Sequence, residues 1–244
     1  KASGFLPVAL SAMSYDGTLY GLPYSVENIG LVKNNALAKD PVPATFDELI
    51  AQGKALGTKY PVVVQQDATN GDPYHLYPLQ TSFGAAVFGT DANGAYDPTA
   101  MPMDSDAGRS FAAYLAKLGK DGVLNTSISG DVAKEAFLKG DTAYMITGPW
   151  NTGDFTKAGM DISIEAVPSA GGQPSQPFVG VQGFFISAKS QNALLANDFV
   201  VNYLGTEDVQ LAMYQAGGRA PALKAAFDKI SDDPVVAGFG KVGE

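Results

Sequence analysis

The sequence predicts an α/β fold with mostly parallel sheets, because short apolar strands alternate along the chain with amphipathic helices. The clearest helix follows Thr45, where Glu48 completes a capping box and an apolar face begins. The clearest strand is 142–147, which runs directly into Gly148–Trp150. With 244 residues, the chain can form one large domain or two small ones and bury a substantial core.

The other elements follow from local patterns. Residues 1–32 are predicted to be extended, with a hairpin at Asp16-Gly17 and a strand at 29–32. Residues 66–78 are predicted to be a polar loop, 91–94 a turn and 169–177 a surface loop. Further strands are predicted at 62–65, 162–167 and 178–187, and helices at 104–118, 131–138, 194–204, 209–214 and 222–230.

Charge and composition exclude several classes of protein. The net charge is −9 and only Arg109 and Arg219 are arginines, so a large basic surface for nucleic acid or anionic lipid cannot form. The absence of cysteine excludes disulfides, thiolate zinc sites and a cysteine nucleophile. No apolar run reaches the roughly 20 residues that span a bilayer. We therefore expect no nucleic-acid partner.

The motifs of common enzymes are missing. His75 is the only histidine, which argues against a hydrolase triad and against a histidine-rich metal site. The sequence has no G-x-S-x-G element, P-loop or EF-hand calcium loop. A glycosidase stays open, because it needs only two carboxylates and the chain has 25 acidic residues. We predict no catalytic residue, no metal and no cofactor.

Aromatic rings and carboxylates are the candidate ligand-binding groups. Rings can stack on the apolar faces of sugars, and carboxylates can accept hydrogen bonds from their hydroxyls. Trp150 follows a Gly-Pro turn at a strand end, Tyr74 follows a proline in a loop, and Glu27 lies just after a predicted strand. The alternatives are a core anchor for Trp150, a packed surface residue for Tyr74 and a solvated charge for Glu27.

Four segments are similar to maltose/maltodextrin-binding proteins, which are extracellular solute-binding proteins of carbohydrate ABC importers. They are Gly21–Glu27, Thr45–Leu49, Ala136–Trp150 and Gly172–Val181. The last two are the most specific, and the Gly-Gln-Pro-Ser-x-Pro-Phe run resembles the maltodextrin branch in particular. The resemblance covers nearly the whole chain, in order.

The resemblance implies a periplasmic-binding-protein-like fold of two lobes joined by hinge strands, with the ligand in the cleft between them. Residues 33–178 would form the body of the C-lobe, 1–28 and 184–228 part of the N-lobe, and 229–244 a return towards the C-lobe. The sequence would then lack the start of the N-lobe and the C-terminal end.

The resemblance also assigns roles to individual residues. Glu27 and Asp72 would bind sugar hydroxyls, and Tyr74 beside Pro73 would stack on a sugar ring. Trp150 would be the main stacking platform of the C-lobe. Asp72 stands where the family usually has a glutamate, so it would be a shorter hydrogen-bonding acid. Two further positions depart from the family: Gly130 falls where a ligand-contacting tyrosine is frequent, and His75 replaces an aromatic residue.

These roles predict a protein that binds a malto-oligosaccharide and delivers it to the permease of an ABC importer. We expect a monomer that is periplasmic, or extracellular and lipid-anchored. The alternatives are a carbohydrate-active enzyme, and a binding protein for a different oligosaccharide. A peptide- or amino-acid-binding relative would need an arginine clamp, and the two arginines lie outside the motifs named above.

Overall fold

The computed structural model describes residues 2–92 and 96–243, and the chain divides into two compact units. The first unit comprises the chain up to Asn28, Gly148–Gly153 and Val179–Gly240. The second comprises Ile29–Thr147, Asp154–Phe178 and the chain from Lys241 onward. Residues 148–153 thus cluster with the first unit, although they lie inside the range predicted for the C-lobe body. The assignment of the units to lobes stays a prediction.

Helices and strands alternate along the described chain. The α-helices are α1 (Pro7–Ala12), α2 (Phe46–Ala55), α3 (Pro73–Ser82), α4 (Asp106–Lys120), α5 (Gly130–Leu138), α6 (Pro149–Lys157), α7 (Ala193–Asp198), α8 (Glu207–Gly217), α9 (Lys224–Asp228) and α10 (Pro234–Gly243). The strands are β1 (Ser14–Tyr15), β2 (Thr18–Leu19), β3 (Gly21–Glu27), β4 (Gly30–Asn34), β5 (Val63–Val64), β6 (Gly89–Thr90), β7 (Tyr96–Asp97), β8 (Tyr144–Thr147), β9 (Ile162–Glu165), β10 (Gly180–Phe185) and β11 (Ala220–Pro221). A 3₁₀ helix spans Ala2–Gly4, and a π-helix spans Phe199–Leu204 after α7.

The first unit is built around strand β3. Its three-stranded sheet has the order β10-β3-β11, and both pairs are antiparallel. Burial alternates along β3 with the two-residue period of a strand, so one face packs on the core. That core contains Phe5, Ala9 and Ala222. The central position of β3 places its last residue, Glu27, next to both neighbouring strands.

The second unit has a four-stranded sheet with the order β5-β8-β4-β9. Every residue of β4 and β8 is buried, as expected for strands covered on both faces. The largest buried side chains of this unit include Phe46, Leu49, Phe137 and Phe155. The helix α3 of this unit begins at Pro73, with Asp72 as its N-cap and Tyr74 in its first turn.

Much of the predicted element order is confirmed. Thr45 and Glu48 form the capping box of α2, and Asp16-Gly17 connects the β1–β2 hairpin. The helices at 104–118 and 131–138 correspond to α4 and α5, and the strand at 142–147 to β8. The turn predicted at 91–94 extends into Asn93 and Gly94, which lie outside the described residues.

Three local predictions are wrong. The sheets are mostly antiparallel, and β5–β8 is the one parallel pair among the described strands. Alternation of strand and helix does not fix strand direction, because partners far apart in sequence decide it. Residues 7–12 form a helix with Pro7 at its first position instead of extended chain. Residues from Pro73 onward form α3 instead of a loop.

None of the helices in the described part of the chain is long and apolar enough to cross a membrane.

Gly218 ends α8 in a left-handed conformation and should not tolerate a side chain. Its φ is +73°, and a Cβ there would lie 2.7 Å from the carbonyl oxygen of Pro149. Gly57 is the matched control, because its φ is +71° and a Cβ there would meet nothing within 4 Å. We expect Gly57→Ala to lower the free energy of unfolding by about 1 kcal/mol and Gly218→Ala by about 2–4 kcal/mol, since only the latter adds a clash. Urea denaturation of the protein that contains this chain measures both, and equal losses would contradict the packing described for Gly218.

Candidate functional site

Glu27 lies in the first unit as a buried carboxylate between two donors. Its side chain is 6% exposed. Ala220 pairs with Val26 in the antiparallel β11–β3 register, so the preceding residue, Arg219, comes opposite Glu27. Arg219 Nε donates to Glu27 Oε2 at 2.5 Å, and Gln182 Nε2 donates to Glu27 Oε1 at 3.0 Å. Glu27 is therefore not a solvated surface charge, which was the alternative role considered for it.

Trp150 is the second residue of α6, instead of lying in a loop as predicted. Pro149 opens the helix, where its missing N–H costs nothing and its fixed φ suits helical backbone. The indole is partly buried, and the Arg219 guanidinium carbon lies 5.5 Å from its ring centroid. This is the geometry of a cation–π contact. Gly218 packs against Pro149 and so fixes the backbone next to Arg219.

We call Glu27, Trp150, Gln182 and Arg219 the Glu27 cluster. It brings together two residues that the sequence nominated, Glu27 and Trp150, and two that it did not. Trp150 contributes a partly buried indole ring, and the carboxylate of Glu27 has more acceptor positions than the two donors use. The cluster can therefore combine ring stacking with hydrogen bonding to hydroxyl groups.

Asp72 forms a second cluster, in the second unit, as the N-cap of α3. Its Oδ1 accepts from the backbone N–H of His75 at 3.0 Å and lies 2.9 Å from His75 Nδ1. Its Oδ2 accepts from Gln65 Nε2 at 2.8 Å. Burial opposes ionisation of Asp72, but these hydrogen bonds outweigh it and lower the pKa of the carboxyl. Asp72 is therefore an ionised hydrogen-bond acceptor at neutral pH.

His75 contacts Asp72 through both its backbone N–H and its imidazole ring. The ring is buried, and this burial lowers its pKa despite the nearby carboxylate. At neutral pH the imidazole is thus mainly uncharged, and its contact with Asp72 is a hydrogen bond donated by Nδ1–H instead of an ion pair. The histidine therefore helps to fix the orientation of the Asp72 carboxylate.

Tyr74 belongs to a stack of aromatic rings that we call the Tyr74 stack: Tyr74, Tyr77 and Phe178. The ring of Phe178 lies parallel to that of Tyr77 at 3.6 Å between centroids and to that of Tyr74 at 5.9 Å. Tyr74 and Tyr77 are three residues apart on α3 and so share one helix face. Pro73 is exposed at the first position of the helix. The stack places partly buried aromatic rings in the second unit, and Tyr74 lies two residues from the ionised Asp72.

Gly130, the other departure from the family, lies close to the same cluster. A Cβ at Gly130 would lie 3.0 Å from Gln65 Oε1, and Gln65 is the residue that donates to Asp72. A side chain at position 130 would thus press on Gln65.

Sequence reasoning missed five residues of these clusters: Gln65, Tyr77, Phe178, Gln182 and Arg219. The three-residue spacing of Tyr74 and Tyr77 could have identified Tyr77 if 73–82 had been recognised as a helix. Arg219 lies outside the motifs in the sequence, but in the structure it contacts Glu27 and Trp150. The Nε of Arg219 already donates to Glu27, so this arginine is engaged by a carboxylate of the protein itself, which argues against its use to bind the carboxylate of a peptide ligand.

Within residues 2–92 and 96–243, no group of three or more acidic or histidine side chains is arranged to hold a metal ion. The chemistry of both clusters comes from aromatic rings, carboxylates, amides, the guanidinium of Arg219 and the imidazole of His75.

Comparison with known proteins gives one family match over residues 1–238, to a family described as bacterial extracellular solute-binding protein. The chain is 28% identical to a galactooligosaccharide-binding protein of Bacillus subtilis over 95% of its own length and 55% of that protein. It is 26% identical to a maltotriose-binding protein of Pyrococcus abyssi, over 97% of its own length and 52% of that protein.

A solved structure, the maltotriose binding protein of Thermus thermophilus bound with maltotriose, matches with a TM-score of 0.86 and 34% identity. The match covers 99% of this chain and 64% of that one. The chain therefore spans about half the length of the curated relatives it matches. The likeness confirms the predicted α/β solute-binding fold and the recognised family.

Asp72 should stabilise α3 in a pH-dependent way. Its pKa is lowered by folding, so its contribution is present above the unfolded-state pKa of about 3.9 and is lost as pH falls through the folded-state pKa. We expect Asp72→Ala to lower the free energy of unfolding by about 1–2 kcal/mol at pH 7 and by much less at pH 3.

The control is Ser105→Ala, which removes the uncharged N-cap of α4. It should cost about 1 kcal/mol at both pH values, because a hydroxyl does not titrate there. Urea denaturation at pH 7 and pH 3 measures the two losses. A loss for Asp72→Ala that is unchanged at pH 3 would contradict the role of the ionised carboxylate.

Proposed function

The chain belongs to the family of bacterial extracellular solute-binding proteins, and from this membership we propose that it carries sugar-binding residues of a malto-oligosaccharide receptor. The receptor would deliver its ligand to the permease of an ABC importer. Such a protein works outside the cytoplasmic membrane, either in a periplasm or anchored to the cell surface by a lipid. We propose that it acts as a monomer and has no nucleic-acid partner.

One observation carries the proposal: each unit places a carboxylate beside an aromatic ring. Glu27 and Trp150 are joined through Arg219 in the first unit, and Asp72 lies two residues from Tyr74 in the second. An oligosaccharide presents the complementary chemistry on every residue, with apolar ring faces and hydroxyl groups at the edges. The roles of Glu27, Asp72, Pro73, Tyr74 and Trp150 as ligand contacts are part of this proposal.

An α-glucan is the ligand that the similarities favour. The maltotriose-binding protein whose structure contains maltotriose shares 34% identity over nearly the whole chain. A second candidate is a galacto-oligosaccharide, since the similar B. subtilis protein is named for binding it.

A binding role agrees better with the site than glycosidase chemistry does. A glycosidase needs one carboxyl group that holds a proton at working pH, and this requires a raised pKa. The pKa of Asp72 is lowered, which suits a hydrogen-bond acceptor and not a general acid. We propose that the protein is not an enzyme.

Calorimetric titration of the protein that contains this chain tests the ligand. Maltotriose should bind more tightly than maltose, a cyclodextrin or a galactosyl trisaccharide. The mixture with maltotriose, analysed afterwards by chromatography, should contain no glucose or maltose. Preference for the galactosyl trisaccharide would establish the second candidate, whereas catalytic release of glucose or maltose would refute a pure binding role.

Trp150→Ala should weaken maltotriose binding more than it weakens folding. A buried aromatic anchor contributes about 2 kcal/mol or more to binding, which corresponds to a loss of about 30-fold in affinity. Because the indole is only partly buried without ligand, its loss should cost less in unfolding free energy. Titration calorimetry and thermal melting separate the two effects.

Tyr15→Ala is the matched control, since Tyr15 is a 76% exposed aromatic residue of the same unit. It should change neither affinity nor melting temperature appreciably. If Trp150→Ala lowers the melting temperature and leaves the affinity within a factor of two, Trp150 is a core anchor and not a ligand platform.

A further inference from the structure

We propose that Arg219 is a positioning residue that sets the orientation of both Glu27 and Trp150 for ligand binding. The inference rests on the proposed sugar-binding function and adds to it a residue that lies outside the recognised motifs. It identifies a single side chain that couples the hydrogen-bonding group of the first unit to its stacking platform.

The carboxylate of Glu27 needs a partner to keep a fixed orientation. At 6% exposure it has little contact with water, and a buried charge without a partner is strongly unfavourable. Arg219 Nε holds Oε2 at 2.5 Å, and Gln182 Nε2 holds Oε1 at 3.0 Å. A carboxylate that is held at both oxygens presents its remaining lone pairs in fixed directions. A hydroxyl group of the ligand can therefore meet an acceptor that is already oriented.

The same guanidinium lies over the indole of Trp150 at 5.5 Å. Its Nε is bound to Glu27 at the same time, so one planar guanidinium contacts both groups. One side chain thus determines the relative placement of a carboxylate and an aromatic face. A lysine could neutralise Glu27, but its ammonium group has no planar face to lay on the indole.

The backbone of Arg219 is itself constrained on both sides. Gly218 is left-handed and packs against Pro149, and Ala220 begins β11 in register with Val26. Arg219 is therefore held between a helix end that contacts the start of α6 and a strand that pairs with β3. Glu27 lies on β3 and Trp150 lies on α6, so the elements that hold Arg219 in place also carry the two groups that it contacts. The side chain is 31% exposed, so it is less buried than the Glu27 side chain that it contacts.

The test is a double-mutant cycle on maltotriose affinity in the protein that contains this chain. The variants are Arg219→Gln, Glu27→Gln, the combination of both, and Arg219→Lys. The matched control is Arg109→Gln, which removes the only other arginine, from a highly exposed pair with Asp106. Calorimetry at pH 7 measures affinity, and thermal melting records stability separately.

We expect Arg219→Gln and Glu27→Gln each to weaken maltotriose binding about tenfold or more, and Arg109→Gln to leave it within twofold. The double variant should bind about as weakly as the weaker single variant, because the two side chains act as one unit. Arg219→Lys keeps the cation for Glu27 and should fold, but it should bind about threefold or more weakly, because the planar contact with Trp150 is lost.

A purely structural ion pair gives a different pattern. It would lower the melting temperature of Arg219→Gln while the folded fraction binds maltotriose within twofold of wild type, and that result would overturn the positioning role. Losses that multiply in the double variant, or full affinity in Arg219→Lys, would overturn it as well. If the wild-type protein binds none of the sugars, the proposed function fails first and the role of Arg219 fails with it.

Discussion

A carboxylate that is shielded from water has to be compensated, and the first unit is organised around that requirement at Glu27. The compensation comes from Arg219, 192 positions later in the chain, because β11 pairs with β3 in a register that places the two residues opposite each other. The pairing also brings the guanidinium over Trp150. A single strand register therefore determines charge compensation, the orientation of a carboxylate and the surroundings of an aromatic ring.

The second unit orients its carboxylate by a local device. Asp72 is fixed as the N-cap of α3, and its donors are His75 three residues on and Gln65 seven residues before it. Nearby donors are enough here because a helix start already supplies an oriented backbone N–H. Both units thus hold an acidic group by hydrogen bonds beside aromatic rings, but one does so through long-range strand pairing and the other through helix capping.

The parts of the fold with local signals could be predicted from the sequence. The capping box of α2 and the Asp16-Gly17 hairpin depend on residues within four positions of each other, and both were found. Strand directions were predicted wrongly, since they depend on partners far along the chain. The helix α3 was missed because Pro73 and Pro78 indicate a break, although a proline at the first helical position is favourable.

The candidate site divides in the same way. Glu27, Asp72, Tyr74 and Trp150 lie in or beside contiguous segments that resemble a known family, so the sequence could nominate them. Arg219 and Gln182 reach Glu27 only through the β3 sheet, and nothing in their own neighbourhoods indicates that contact. The physical reason is that sheet register is a tertiary property, and side chains that meet across it carry no spacing signal.

The central claim is that these oriented rings and carboxylates bind a sugar, and a crystal structure of the protein with maltotriose tests it most directly. We predict a glucose ring stacked on the indole of Trp150 and a sugar hydroxyl within hydrogen-bonding distance of the Glu27 carboxylate, with the Arg219–Glu27 contact preserved. Maltotriose bound elsewhere, with Trp150 and Glu27 untouched, would contradict it.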